Sequence, residues 1–60
     1  MEVFNVTETA AYLNCSISAI RKLISTNKIP YFRIGYRILF RKLALDDWIK
    51  QQELEHNGLI

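Results

Sequence analysis

The small size of the chain limits what it can fold into more than any other feature. Sixty residues are fewer than the about 100 to 200 of a typical domain, and a chain of this size buries only about 60% of the surface that its unfolded form exposes. There is room for one small core. We therefore expect a single domain over residues 1–60, with its core within residues 4–50 and a helix end and acidic tail over residues 51–60.

The residue types exclude several classes of protein. With 50% hydrophobic and 23% charged residues, the composition is that of an ordinary globular protein. One cysteine and one histidine, Cys15 and His56, cannot form a disulfide or supply the ligands of a zinc site, and we expect Cys15 to be a small core residue. The apolar runs are too short to span a bilayer, and the N-terminus lacks a secretory signal. A soluble, cytoplasmic protein without a cofactor is predicted.

Charge is distributed unevenly along the sequence. Seven of the eight basic residues lie between residues 9 and 45, where there is no acidic residue, whereas residues 46–60 carry four acids and one base. This asymmetry is typical of proteins that bind an anionic partner. The alternative is a solvated surface that happens to be basic.

The first predicted helix covers residues 6–13. Asn5 and Glu8 have the spacing of a capping box, in which each side chain bonds the other residue's backbone amide. Apolar residues then repeat every three or four positions, which gives the helix one apolar face. They are Val6, Ala10 and Leu13.

A second helix is predicted over residues 17–26, after a tight turn. Asn14 readily adopts the left-handed conformation that a tight helix exit needs, and Ser16 can cap the new helix. One face of this helix is polar and basic, with Ser18, Arg21, Lys22 and Ser25. The opposite face is apolar, with Ala19, Ile20, Leu23 and Ile24.

Residues 31–40 are rich in aromatic and β-branched types and predict a β-hairpin. A loop of two residues suits a type II′ turn at Gly35. A loop of three residues, ending at Arg37, instead sets Ile34 opposite Ile38 and collects the apolar residues of both strands on one face. We favour the second register, because burial fixes register more strongly than turn preference.

The third helix is predicted from residue 42 or 43 to between residues 53 and 55. Its apolar stripe contains Leu45, Trp48 and Ile49, so Trp48 is expected to anchor the core, and Asn57 with Gly58 is expected to stop the helix. The fold class is thus α+β, a small winged helix-turn-helix. It has three helices and a two-stranded hairpin, the wing, between the second and third helices.

The sequence offers no catalytic constellation. Asp46 and Asp47 are neighbours on a helix and point about 100° apart, so they do not converge as an acid–base pair. There is no glycine-rich phosphate loop, and neither Cys15 nor His56 has an orienting partner. We expect no enzyme activity and no small-molecule substrate.

The basic residues instead predict a surface for double-stranded DNA. The front of the second helix can enter a major groove, where arginine and lysine read base edges and hydroxyls contact phosphates. The hairpin tip can reach the flanking backbone or minor groove. The candidate wing residues are Arg33, Gly35, Tyr36 and Arg37, and Lys28 and Arg41 are candidate backbone contacts.

The ordered segments VTETAAYL, IRKLI, KIP, RIGYR and LDDWI, within residues 6–49, carry a family resemblance. In this order they are similar to the excisionase-type helix-turn-helix domain, a family of small winged-helix proteins related in fold to the mercury-resistance-regulator (MerR) DNA-binding domain. The resemblance extends the recognition-helix contacts to Ser16. Ile17 departs from the polar residue that is common there, which makes its contact an apolar one to a thymine methyl or removes it.

The resemblance implies a protein of bacterial, phage or other mobile-element origin that bends DNA near attachment sites, associates with the nucleoid and directs a tyrosine recombinase towards excision. Neighbouring copies on DNA are the other implied partner. A small MerR-like transcriptional regulator is the alternative, although only ten residues follow Lys50 to form the long dimerisation helix of MerR proteins. A winged helix whose basic face binds an acidic protein is a further alternative.

Overall fold

Over the residues that the structure describes, the chain folds into three helices and a three-stranded antiparallel sheet. The structure, a computed structural model, describes residues 2–58. Its elements in order are β1 (Val3–Phe4), α1 (Val6–Leu13), α2 (Ile17–Ser25), β2 (Phe32–Ile34), β3 (Arg37–Arg41) and α3 (Lys42–Gly58). The predicted α+β class, with a hairpin between the second and third helices, is confirmed.

Both ends of α1 follow the sequence-based prediction. The Asn5 side chain accepts a hydrogen bond from the Glu8 amide, and the Glu8 carboxylate accepts one from the Asn5 amide, both at 2.8 Å. Asn14 adopts the left-handed conformation, with φ 57° and ψ 48°. This conformation turns the chain back so that the Cys15 amide donates to the Ala10 carbonyl at 2.9 Å, which closes the helix.

Helix α2, like α1, begins with a side-chain cap and ends at an asparagine in the left-handed conformation. The Ser16 side chain accepts a hydrogen bond from the Ala19 amide at 3.1 Å, as predicted for its cap. At the other end Asn27 has a φ of 59°, and the Lys28 amide donates to the Leu23 carbonyl at 2.8 Å. An asparagine therefore closes each of the two helices that form the helix-turn-helix.

The hairpin does not adopt the favoured three-residue register. Phe32 pairs with Leu39 and Ile34 with Arg37, which leaves a loop of two residues. Gly35 occupies its first position with a φ of 62°, as a type II′ turn requires. The prediction failed because it assumed that both strands supply the core, whereas Phe40 of β3 is fully buried and β2 contributes no fully buried residue. Turn geometry, rather than burial, therefore sets the register.

The predicted two-stranded hairpin is part of a larger sheet. Strand order is β1-β3-β2, and β1 pairs Val3 with Arg41 and Phe4 with Phe40. The N-terminal segment thus makes β3 the central strand. A strand of two residues is too short to show an alternating pattern, which is why the sequence did not reveal it.

Helices α1 and α3 pack on the central strand β3, and α2 packs on α1. The buried core consists of Ala10, Ile20, Ile29, Phe40 and Leu45, each at most 4% exposed. Trp48 packs against this cluster, and its indole N–H donates to the Lys28 carbonyl at 2.7 Å. The predicted role of Trp48 as a core anchor agrees with these contacts.

Two further expectations are wrong. Helix α3 continues to Gly58 and does not end near residues 53–55, because residues 50–55 are strong helix formers that carry it past the core. Cys15 is exposed, since the turn that uses its backbone amide leaves its side chain at the surface. The tail residues Leu59 and Ile60 lie outside the described part of the chain.

Candidate DNA-binding surface

Helix α2 is divided into a buried side and a solvent-facing side. Ile20 is fully buried, and the other apolar residues of the helix interior are partly buried. The four residues predicted for the opposite face are all exposed: Ser18, Arg21, Lys22 and Ser25. The face that carries the basic groups is therefore open to solvent.

A groove lies between this face and the hairpin. It has a volume of about 480 Å³, and Arg21 and Ser25 of α2 line one side of it while Arg33 of β2 lines another. Asn27 and Tyr31 complete its polar lining, and none of the lining residues within residues 2–58 is acidic. Two arginines that are twelve positions apart in the sequence thus border the same cleft.

The two arginines nearest the hairpin tip lie on opposite faces of the sheet. Arg33 pairs with Ile38, whose side chain packs on the core, so Arg33 lies on the inner face, towards α2. Arg37 pairs with the exposed Ile34 on the outer face. At the tip, Tyr36 is 93% exposed. The sequence grouped these wing residues together, but the structure brings only Arg33 to the α2 groove.

The remaining candidates occupy the ends of this surface. Ser16 uses its side-chain oxygen as the cap of α2, and the adjacent Ile17 is 42% exposed. Lys28 is exposed at the end of the α2 exit turn. Arg41 lies at the far end of β3, on the outer face, where it borders a separate cleft with Phe32. Like the hairpin tip, Arg41 therefore does not reach the groove beside α2.

The sequence did not predict a polar cluster that joins α1 to α3. The Tyr12 hydroxyl donates to the Asp46 carboxylate, and the Lys42 ammonium lies 3.1 Å from the same group. The Lys42 nitrogen also lies 5.6 Å from the centre of the Tyr12 ring, which stacks at a tilt on Phe4. These contacts fix the first turn of α3 against α1.

The cluster shifts the ionisation of its three members. The hydrogen bond from Tyr12, together with that from Lys42, lowers the pKa of Asp46 below its usual range. The bond to Asp46 raises the pKa of Tyr12 and also that of Lys42. At neutral pH the first turn of α3 thus holds an ion pair, and the Asp46 charge is compensated locally.

A family model described as a helix-turn-helix domain matches residues 3–53. The chain belongs to this family. The match runs from β1 into α3 and confirms the family that the sequence resembles. No curated protein and no solved structure shows a significant match. Helix-turn-helix domains place their second helix in the major groove of double-stranded DNA, and the chain is accordingly a DNA-binding domain.

In the part of the chain that the structure describes, no group of three or more histidine, cysteine or acidic residues is arranged to hold a metal ion. None of the described helices is long and apolar enough to cross a bilayer. Domains of this family are typically not enzymes.

Proposed function

We propose that the protein is an excisionase-like architectural factor of a mobile element, which binds double-stranded DNA by sequence and bends it for a tyrosine recombinase. The observation that carries the DNA-docking part is the shared groove of Arg21 and Arg33, beside an exposed basic helix face. The recombination role is supported by the resemblance of the sequence motifs to excisionase-type proteins. Such a factor acts in the cytoplasm, on the nucleoid.

In this proposal the exposed face of α2 enters the major groove. Arg21 and Lys22 project from the helix where they can donate to guanine O6 and N7, and Ile17 can contact a thymine methyl. The hydroxyls contact phosphates and fix the register of the helix on the duplex. These hydroxyls belong to Ser16, Ser18 and Ser25.

The hairpin supplies the second part of the proposed interface. Arg33, on the inner face, faces the DNA strand that passes along the groove beside α2. The tip, with Gly35, Tyr36 and Arg37, extends to the flanking backbone or minor groove. Backbone contacts for Lys28 and Arg41 remain predictions.

One such domain covers little DNA. A single module buries only about 600 to 1,000 Å² of protein surface, which is small for tight and selective binding. Neighbouring copies or the recombinase must therefore add contacts. The acidic second half of α3 repels phosphate and is exposed to solvent, which suits it for a protein partner.

The test selects a preferred duplex from a randomised library and then places it at different positions in fragments of equal length. We expect the bound fragments to migrate differently in a gel according to the position of the site, because a bend at the centre retards a fragment most. Arg21→Ala and Arg33→Ala should weaken the complex. Lys50→Ala, which removes a basic side chain outside the proposed interface, should not.

A second experiment addresses the recombination role. A plasmid that carries the element's attachment sites and its recombinase should excise the intervening DNA only when this protein is present. In the gel experiment, migration that does not depend on the position of the site would contradict DNA bending. Unchanged excision without the protein, combined with altered transcription from a promoter near the selected site, would favour the regulator instead.

A further inference from the structure

A second cleft lies between α1 and α3, apart from the groove that Arg21 and Arg33 share. Its volume is about 490 Å³, and aromatic and aliphatic side chains form most of its wall. Within residues 2–58, none of the residues that line it also lines the groove beside α2, and none belongs to α2. We call it the α1–α3 cleft. Its lining includes Tyr12, Leu13, Trp48, Ile49, Glu53 and His56.

The two aromatic side chains of the cleft are held in place at their polar ends. The Tyr12 hydroxyl donates to the Asp46 carboxylate, and the Trp48 indole N–H donates to the Lys28 carbonyl at 2.7 Å. Both rings remain accessible, because Tyr12 is 40% exposed and Trp48 is only partly buried. Side chains that are already fixed lose little conformational entropy when a partner covers them. The cleft is therefore preformed for an apolar contact.

The shape of the cleft favours a helix over a small molecule as its occupant. Its α3 side runs from Trp48 to His56, a distance of about 12 Å or two helical turns. A small ligand is bound tightly only where the protein encloses most of its surface, whereas this side of the cleft includes the exposed Gln52 and Glu53. A groove between two helices instead accepts the apolar face of a third helix, whose side chains at positions i, i+3, i+4 and i+7 fill it.

Acidic side chains border the cleft and determine the charge of a matching partner. Glu53 lines the cleft, and Glu55 lies about 200° further round α3, so the two carboxylates lie at opposite edges of the lining face of this helix. Among the lining residues within the described part of the chain there is no lysine or arginine. The Lys42 ammonium, at the start of α3, is paired with Asp46. A helix with basic residues on either side of its apolar face complements this arrangement.

We propose that the α1–α3 cleft is a docking site for a basic amphipathic helix of a partner protein. Apolar side chains of that helix pack on Leu13, Trp48 and Ile49, and its lysines and arginines approach Glu53 and Glu55. Because the cleft shares no lining residue with the groove beside α2, the protein can hold DNA on one surface and the partner on the other. The inference rests on the proposed function only for the setting of this contact, since a partner that acts on the same DNA carries basic segments.

The test uses a synthetic peptide of about 15 residues, with leucines at helical spacing and lysines on both sides of them, and no DNA. Trp48 and Cys15 are the only tryptophan and the only cysteine of the chain, and both line the cleft. The peptide contains neither residue type. We expect it to change the fluorescence of Trp48 saturably and to slow the alkylation of Cys15. A second peptide, with glutamates in place of the lysines, should bind at least about tenfold more weakly.

Two pairs of variants separate the cleft from the rest of α3. Ile49→Ser should weaken binding of the lysine peptide roughly tenfold, because it removes an apolar group from the contact. Ile49 is partly exposed and lies outside the core cluster, so the variant should keep its fold, as circular dichroism will show. Leu54→Ser is the matched control and should not change binding, since Leu54 is 69% exposed on the opposite side of α3.

The second pair reverses a charge. Glu53→Lys should weaken binding of the lysine peptide roughly threefold to tenfold. Asp47→Lys makes the same change at an exposed residue of α3 that does not line the cleft, and it should have a smaller effect. Both residues are at the surface, so neither substitution endangers the fold.

Several results would overturn the proposal. Equal binding of the two peptides would contradict the charge assignment, equal effects of Ile49→Ser and Leu54→Ser would contradict the location, and no saturable change with the lysine peptide would refute the docking itself. Saturable binding of the apolar dye Nile red that the lysine peptide does not displace would instead make the cleft a small-molecule site. Self-association in sedimentation velocity that Ile49→Ser abolishes would make its occupant a second copy. The proposed function fails separately, if the wild type selects no preferred duplex from a randomised library.

Discussion

Trp48 connects α3 to the loop that follows α2, and its replacement tests how the domain holds these elements together. Its ring packs against the core cluster, and its indole N–H donates to the Lys28 carbonyl at 2.7 Å. Lys28 directly follows the turn that closes α2. The same side chain therefore stabilises the core and positions the start of the hairpin relative to the proposed recognition helix.

We expect Trp48→Ala to lower the free energy of unfolding by about 3 to 5 kcal/mol, the usual cost of truncating a large core aromatic residue. The partial burial of Trp48 favours the lower end, and the lost hydrogen bond adds about 1 kcal/mol. A domain of 60 residues has a total stability of about 3 to 9 kcal/mol. The substitution should thus remove a large part of the stability or unfold the domain.

Trp48→Phe separates the two contributions. Phenylalanine retains an aromatic ring but lacks the N–H donor, so we expect a loss of about 1 kcal/mol. Tyr36→Ala is the control, because Tyr36 is 93% exposed and its loss should change the stability by less than about 0.5 kcal/mol. Urea titrations followed by far-UV circular dichroism measure all three. A Trp48→Ala variant within about 1 kcal/mol of the wild type would refute this account of the core.

Three further predictions concern the interface, a helix exit and the polar cluster. Arg21→Ala should reduce the binding free energy on the preferred duplex by about 1 to 3 kcal/mol and weaken the base preference at one position. Arg37→Ala should instead weaken binding to all sequences equally. Identical binding profiles of the two variants across a randomised library would contradict this division. Asn14→Ala should cost about 1 to 2 kcal/mol because of its left-handed backbone, and Asn14→Gly should not, as thermal melts will show. Because Tyr12 and Lys42 lower the pKa of Asp46, its contribution to stability is present above about pH 3.9 and is lost as pH falls through the folded-state pKa. The urea midpoints of the wild type and Asp46→Asn should therefore differ at pH 7 and converge in acid. A difference that stays constant across pH would contradict a stabilising role of the ionised Asp46 carboxylate.

The parts of the fold that local sequence determines were predictable. The capping box of Asn5 and Glu8, the left-handed exit at Asn14 and the cap at Ser16 depend on residues within four positions of each other. So does the division of α2 into two faces. Each of these features is a local choice of backbone conformation, which the neighbouring residues decide.

The features that were missed depend on tertiary context. The hairpin register depended on which of the two strands supplies a buried side chain to the core. Strand β1 exists only because β3 offers it an edge with which to pair. Likewise, the exposure of Cys15 follows from how the turn between α1 and α2 is oriented. No periodicity within a short segment contains this information.

The residues of the candidate DNA-binding surface also fall into a group that local sequence predicts and a group that depends on tertiary structure. The exposed face of α2 could be read from helical spacing, because it needs only one element. The approach of Arg33 to Arg21, and the separation of Arg33 from Arg37, follow from the register and from how the hairpin packs beside α2. The cluster of Tyr12, Lys42 and Asp46 joins residues 30 or more positions from Tyr12 along the chain and carried no sequence signal.

The salt dependence of duplex binding tests the central claim most directly. If the exposed face of α2 and the hairpin bind DNA as proposed, about 4 to 6 phosphate contacts should release counterions, and log affinity should fall against log salt with a slope of about −4 to −5. Fluorescence anisotropy at several salt concentrations measures it on the selected duplex. Arg33→Ala should make the slope shallower by about one. A flat response to salt would contradict binding through this basic surface.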